Sequence, residues 1–389
     1  MSEVGNGITI KNFIQHLYKI TFSSLVMVDY FFVLGRNPEL SRAEIFLYLK
    51  ARNIRFSEII YEENFLILDI EETFEININE LGGTIKLGKL KKFTNKKEFF
   101  NFLEKEEFVP ADKFSYSVLG NIEEDVFIEK FKKERKKAMI RRKGKRLVFQ
   151  NEEISFLSNS DFEIFAFQKK DIFLGLVEQK YDSKIDEFID IKKPFRRESL
   201  AISPRLSKIL INLAGLKKGE LMLDPFCGIG VILQQALLKG INCIGVDKDK
   251  NAIEQAKQNI DWLKNSFKIE ANCSLINKNS LNLEKNNYDG IVGETPLGEL
   301  LRRKPSKEEA KKFLFNFEKR IFPFLIHFKK IKKENAKIVL TFPCFNEIQI
   351  GENFIKKSSL KVYSDEKINF PIIEKRKEQF VNRQIWVLY

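Results

Sequence analysis

Past residue 206 the chain alternates between two rhythms. Short apolar runs occupy residues 221–224, 243–247, 269–273, 289–293, 337–342, 359–363 and 384–388, and several of the intervals between them, notably 231–239, 251–264 and 306–330, read as helices. Apolar strands alternating with helical crossovers predict an α/β fold, a seven-stranded and mostly parallel sheet with helices on both faces. The front half has a different rhythm. Strands are predicted at 30–34, 65–70, 114–118, 146–149, 162–167 and 172–177, with helices from Ser41, at 97–103 and at 126–137. Mixed segments of this kind predict α+β architecture. Ser41, with Glu44 three residues on, reads as a capping box. The expected division is an N-terminal extension (1–28), an α+β subdomain (29–83), a second α+β domain (84–185), a basic connector punctuated by Pro194 and Pro204 (186–205) and the α/β domain (206–389).

Composition narrows the class. With 389 residues, 43% of them hydrophobic and 31% charged, the chain can bury more than one core. No apolar run approaches the ~20 residues of a membrane helix. No small-residue cleavage pattern accompanies the uncharged stretch 20–28, so a cytoplasmic protein is expected. Cys227, Cys243, Cys273 and Cys344 share no C-x-x-C spacing, which fits reduced core thiols, and with two histidines a metal site is not expected.

The net charge of +13 points to a polyanionic partner. Lys, Asn, Ile and Phe are all abundant, as A+T-rich coding would produce, so the position of the charge says more than its total. Between residues 130 and 146 stand eleven basic residues and one acid, Glu134. Lys132, Lys133, Lys136, Arg141, Arg142 and Lys143 belong to this run, which lacks the i,i+4 acids that steady an isolated helix. The reading is phosphate contact with a nucleic acid; the alternative is a solvated helix face.

The candidate chemistry starts where the strand at 221–224 ends in Asp224, followed by Pro225-Phe226-Cys227-Gly228-Ile229-Gly230 and then a helix. Glycines let backbone approach a ligand, and a helix start offers free N–H groups. The strand at 243–247 ends in Asp247-Lys248, and Asp247 lies 23 residues past Asp224, near where a ribose-binding acid stands. Val231, Ile232 and Leu233 follow Gly230, so the third glycine of a dinucleotide fingerprint is missing and a smaller adenosine ligand is favoured. The alternative is that the glycines make a turn and Asp247 caps a helix.

The combination D-P-F-C-G-I-G then G-V-D-K-D resembles the cofactor site of class I S-adenosylmethionine methyltransferases that modify exocyclic amines of nucleobases. Residues 32–44, 203–214 and 379–385 are similar to the opening, the start of the catalytic domain and the closing strand of the THUMP-containing tRNA guanosine 2-amino methyltransferases. The resemblance implies a ferredoxin-like and THUMP-like RNA-binding front half, a Rossmann-like methyltransferase back half, S-adenosyl-L-methionine as cofactor and tRNA as partner. It also implies that the acid, two prolines and aromatic of the family's catalytic loop correspond here to Glu294-Thr295-Pro296-Leu297.

In that motif the acid and a proline carbonyl accept the amine's hydrogens while the aromatic stacks on the base. Glu294 can still accept from an amine. Leu297 cannot stack, leaving Phe342, Phe345 or Phe226 as substitutes. Methylation of a guanosine in the tRNA core is the first reading; an adenine 6-amino group, an rRNA guanosine or an RNA-binding protein without turnover are the others. Glu294 also reads as a helix N-cap. Asn279, beside Ser280, reads as an acceptor near the adenine or as a plain loop residue. Arg302, Arg303 and Lys304 read as phosphate ligands beside the base or as solvated charge.

Overall fold

A computed structural model describes residues 26–62, 64–72, 74–141, 147–149, 152–154, 160–196, 202–298, 301, 303–375 and 379–389. In the front half the elements are β1 (Met27–Leu34), α1 (Pro38–Ala51), β2 (Phe56–Glu62), β3 (Phe65–Glu71), β4 (Thr84–Phe93), α2 (Lys96–Lys105), β5 (Lys113–Gly120), α3 (Asp125–Lys133), β6 (Lys137–Ile140), β7 (Leu147–Phe149), β8 (Glu152–Ile154), β9 (Phe162–Gln168), β10 (Ile172–Leu176), β11 (Gln179–Lys180) and α4 (Lys184–Lys192). The back half adds α5 (Pro204–Ala214), β12 (Leu221–Asp224), α6 (Val231–Leu238), β13 (Asn242–Asp247), α7 (Lys250–Phe267), β14 (Cys273–Asn277), β15 (Tyr288–Glu294), α8 (Lys307–Ile331), β16 (Lys332–Cys344), α9 (Glu352–Lys357), β17 (Ile372–Glu374) and β18 (Asn382–Leu388).

The front sheet runs β2-β3-β1-β4-β10-β9-β5-β6, with β11 also on β4. Strand period explains why β1 is buried from Tyr30 to Leu34: Tyr30, Phe32 and Leu34 join the core under α1, while Phe31 and Val33 face the opposite cluster, where Phe31 stacks on Phe165 with centroids 4.3 Å apart. The boundary expected at residue 84 is the first residue of β4, which pairs with β1 on one side and β10 on the other. One sheet therefore spans both expected front domains.

The helix expected from Ser41 starts earlier, because Asn37 is its N-cap and Pro38 its first residue. That shift moves Glu44 from a cap into the interior. Its buried carboxylate accepts from Gly82 N–H, Gly83 N–H and Asn212 Nδ2, each at 2.7 Å. Asn212 lies on α5, so Glu44 clamps front half to back half, and α1 and α5 share one apolar core. Similarly, the helix expected at 126–137 stops at Lys133. Arg135 takes φ +59°, and residues from Lys137 pair with β5 instead. Part of the expected connector is helix α4.

The back sheet has the order β14-β13-β12-β15-β16-β18-β17, with all strands in one direction except β18, which pairs antiparallel with both β16 and β17. The third strand lies at Cys273–Asn277 rather than 269–273, and residues 359–363 contribute one isolated bridge, Val362 to Leu388; the edge strand is β17. Edge positions carry the weakest apolar pattern, which is why they were misplaced. Among the described residues no helix is long and apolar enough to cross a membrane.

Candidate active site

The sheet reverses direction at β12: the next strands lie to one side, β15 and β16 to the other. Helices leaving neighbouring strands then part to opposite faces and leave a crevice at the carboxyl ends of β12 and β15. Asp224 ends β12 there, buried, with Oδ1 accepting from Phe226 N–H at 3.1 Å. Burial pushes its carboxyl up to about 8 against that hydrogen bond, and the charges of Asp247 and Glu294 push the same way. A Cβ at Gly293 would lie 3.2 Å from Asp224 Oδ1 and 3.1 Å from Pro225 Cδ, so glycine lets β15 lie against the turn.

Gly228 and Gly230 adopt φ of +51° and +87°, which glycine tolerates. A Cβ at Gly228 would meet nothing within 4 Å, so that face of the turn is open. Asp247 Oδ2 accepts from Gly228 N–H at 2.9 Å and Oδ1 from Asp249 N–H at 2.9 Å, so this acid clamps the glycine turn. Lys248 beside it is exposed. Cys227 is buried, with its thiol pushed up by burial, and Phe226 packs edge-on against Phe324 of α8. Ser280 Oγ donates to Pro225 O at 2.5 Å, tying the loop after β14 to the same turn. Exposed Asn279 uses Oδ1 to cap a short 3-10 turn through Leu281 N–H at 3.1 Å.

Glu294 ends β15 and accepts from Arg383 Nε at 2.6 Å. Arg383 Nη1 also reaches Glu374 Oε2 at 3.2 Å, and the guanidinium side chain is 6% exposed. Register explains the meeting: Glu294 pairs with Thr341 of β16, and Arg383 of β18 pairs with Pro343, two residues on and so on the same face. Sequence reasoning passed over Arg383. A signal was present in Asn382-Arg383-Gln384, three polar residues opening a strand that is buried throughout.

The three residues after Glu294 divide between core and solvent. Thr295 Oγ1 donates to Thr341 O at 2.6 Å, an anchor a proline would lack. Pro296 is exposed. Leu297 is 8% exposed and belongs to the apolar cluster of Leu314, Phe342 and Phe345, so both those rings and the leucine are committed to the core.

The basic residues divide. Lys132, Lys133 and Arg141 are exposed. Lys136 is bound to Glu107 and the Val109 carbonyl, with its side chain 4% exposed. Lys130, in the same run, is buried, holds the carbonyls of Leu103 and Glu106 and pairs with Glu134 Oε1 at 2.7 Å, an i,i+4 acid partner of the kind the run was expected to lack. Arg303 makes a fork with Glu309 at 2.6 and 2.9 Å, at the start of α8. Arg142, Lys143 and Arg302 lie outside the described residues. Among the described residues no group of three or more His, Cys, Asp or Glu could hold a metal ion.

A doubly wound sheet of this order, with an antiparallel β18, a glycine turn after β12 and acids ending β13 and β15, defines a class I methyltransferase fold. Residues 193–323 match the family model described as RMKL-like, methyltransferase domain. The chain is 32% identical over 115 residues to a protein of Methanothermococcus thermolithotrophicus named "Probable tRNA (guanine(10)-N2)-dimethyltransferase", a match covering 27% of this chain and 67% of that one. It is 41% identical over 69 residues to the tRNA (guanine(10)-N2)-dimethyltransferase of Methanothermobacter thermautotrophicus, 18% of this chain and 20% of that one. The matches span 20%, 28% and 32% of three full relatives of that name. In fold, TrmN from Thermus thermophilus aligns over 92% of this chain and 99% of its own with TM-score 0.51 at 12% identity. The chain belongs to the tRNA guanosine 2-amino methyltransferase family.

Proposed function

We propose that this protein transfers a methyl group from S-adenosylmethionine to the exocyclic 2-amino group of a guanosine in tRNA. The observation that carries the reading is the convergence of Asp224, Asp247 and Glu294 at one sheet edge, where both outer acids act on the buried Asp224 carboxyl. Asp224 holds its proton there, and the charges of Asp247 and Glu294 beside it favour a ligand bearing positive charge, as a sulfonium and an ammonium do. The open face at Gly228 leaves room for it. In this reading the turn Asp224 to Gly230 holds the methionine end, Asp247 with Lys248 takes the ribose, and Asn279 and Ser280 border the adenine.

When bound there, the cofactor would supply an electrophilic methyl carbon to the amine nitrogen, its sulfur keeping the electron pair of the bond given up. Glu294 accepts one amine hydrogen and the carbonyl of Pro296 the other, which aims the nitrogen lone pair; the released proton leaves through the Glu294 carboxylate. The exposed Lys132, Lys133 and Arg141 of the front half contact tRNA phosphates. Guanosine 10, the position in the names of the relatives, is the target this reading adopts, with one or two methyl additions.

Purified protein, labelled S-adenosylmethionine and unmodified tRNA transcripts test it. Label should appear in N2-methylguanosine by nucleoside mass spectrometry and vanish when guanosine 10 is replaced. Cofactor binding without transfer would leave an RNA-binding protein, and label on an adenine 6-amino group would change the substrate. Charge reversal at Lys132, Lys133 and Arg141 should weaken tRNA binding and flatten its salt dependence while cofactor affinity holds. An unaltered salt slope would make those residues a solvated face.

A further inference from the structure

Glu294 does not stand alone at the crevice; it ends a chain of alternating charges that starts in the front half. Arg36, in the turn before α1, pairs with Glu374 Oε1 at 3.5 Å and bonds the Lys375 carbonyl, and neighbouring Asn37 Nδ2 donates to Ile373 O at 2.8 Å. Glu374 Oε2 holds Arg383 Nη1 at 3.2 Å, and Arg383 Nε holds Glu294 Oε1 at 2.6 Å. Arg383 is the shared cation between two carboxylates that are themselves mostly buried, at 15% and 19% side-chain exposure. A further donor, Arg383 Nη2, is buried without a hydrogen-bond partner among the described residues. A guanidinium so enclosed has one orientation available, because its planar fork fixes every donor at once.

We propose, resting on the methyl-transfer reading above, that Arg383 is a positioning residue for the reaction. It keeps the Glu294 carboxylate ionised and aimed at the substrate amine, and Glu374 competes for it, so that the seat of the front half on β17 bears on the acid. Arg383 touches no reacting atom in this scheme. Its effect reaches the amine through Glu294. A carboxylate within bonding distance of a fixed cation stays ionised to lower pH than one without it. Free rotation about the last side-chain torsions of Glu294 would otherwise scatter the acceptor away from the amine.

The test uses full-length protein, with label transfer to tRNA, cofactor titration and thermal unfolding measured on each variant. In Arg383→Leu, kcat should fall by about 10- to 100-fold with KM for tRNA little changed, and the acid limb of the kcat profile should move to higher pH. Arg383→Lys keeps the charge but loses the fork, so it should recover the pH limb and only part of kcat. Glu374→Gln frees Arg383 for Glu294 and should move the acid limb to lower pH. Apart from activity, Arg383→Leu and Glu294→Gln should be non-additive in thermal unfolding. Wild-type kcat and an unmoved pH limb in folded Arg383→Leu would overturn the proposal. Should that variant not fold, an unmoved limb in Glu374→Gln together with wild-type kcat in Arg383→Lys would do the same. Failure of the wild type to methylate any tRNA would instead overturn the methyl-transfer reading, while indifferent variants of an active enzyme sink only the role of Arg383.

Discussion

Glu294→Gln separates the chemistry from the scaffold more cleanly than any other change. The substitution keeps side-chain length and one oxygen that can still accept from Arg383 Nε, now 2.6 Å from Glu294 Oε1. A charge-assisted bond becomes a neutral one, which costs about 1–2 kcal/mol of stability. Glu374, 3.2 Å from Arg383 Nη1, keeps the guanidinium from being left alone in the interior and holds the loss to that size. The rate should suffer much more. If Glu294 orients the amine and takes its proton as proposed, losing it costs about 10²–10⁴ in kcat, or roughly 3–5 kcal/mol of transition-state stabilisation. In the proposed reading ground-state binding falls elsewhere, to the turn after β12 and to the front half. The expected result is therefore a kcat reduced about 100-fold or more, with tRNA KM and cofactor affinity within about twofold. Single-turnover label transfer at saturating tRNA and cofactor reads the first quantity, and fluorescence titration of the cofactor reads the last. A folded variant that keeps kcat within about threefold of wild type would refute the assignment of Glu294 as the amine acceptor.

Glu44→Ala strands two backbone N–H groups in the core shared by the two halves and leaves Asn212 Nδ2 with the Glu80 carbonyl alone, and should cost about 2–4 kcal/mol in chemical denaturation; a loss under about 1 kcal/mol would mean that the Glu44 bonds do not hold the halves together. The Asp224 carboxyl is pushed up to about 8, so the proton it keeps on folding favours the folded state fully below its ordinary pKa near 3.8, and that contribution fades as pH rises toward 8. Between those limits stability should fall by up to about 1.4 kcal/mol per pH unit, and Asp224→Asn should flatten the slope; denaturant midpoints from pH 5 to 8 that run parallel in the two proteins would contradict it. Leu297→Phe places an aromatic where the family's loop has one, but the side chain enters a filled cluster, so it should cost about 1–3 kcal/mol in denaturation without raising kcat; increased methylation would show that residue 297 can reach the base.

Much of the α/β half was legible in the chain because its signals are local. An apolar run, a carboxylate and two glycines within ten residues specify a strand, a turn and a helix start wherever they occur, and Asp224, Gly228, Gly230, Asp247 and Glu294 all lie where that grammar puts them. Local signals also misled. Ser41 and Glu44 have the spacing of a capping box, yet Asn37-Pro38 caps the helix, and burial against α5 makes Glu44 a clamp. The run at 130–146 has one sign of charge, yet Lys130 and Lys136 spend theirs on carbonyls and acids inside the fold while Lys132 and Lys133 stay in water.

By itself, then, the order of residues determined the strand-and-helix alternation, the glycine turn and the pair of strand-end acids, since these depend on neighbours a few positions apart. Only the tertiary structure decided that Arg383, 89 residues beyond Glu294, is its partner, that Leu297 faces the core and that Arg36 and Glu374 extend the charge chain to the front half. Those contacts depend on strand register and on which face each residue takes, and a shift of one residue in β16 would have turned Arg383 or Glu294 to the other side of the sheet.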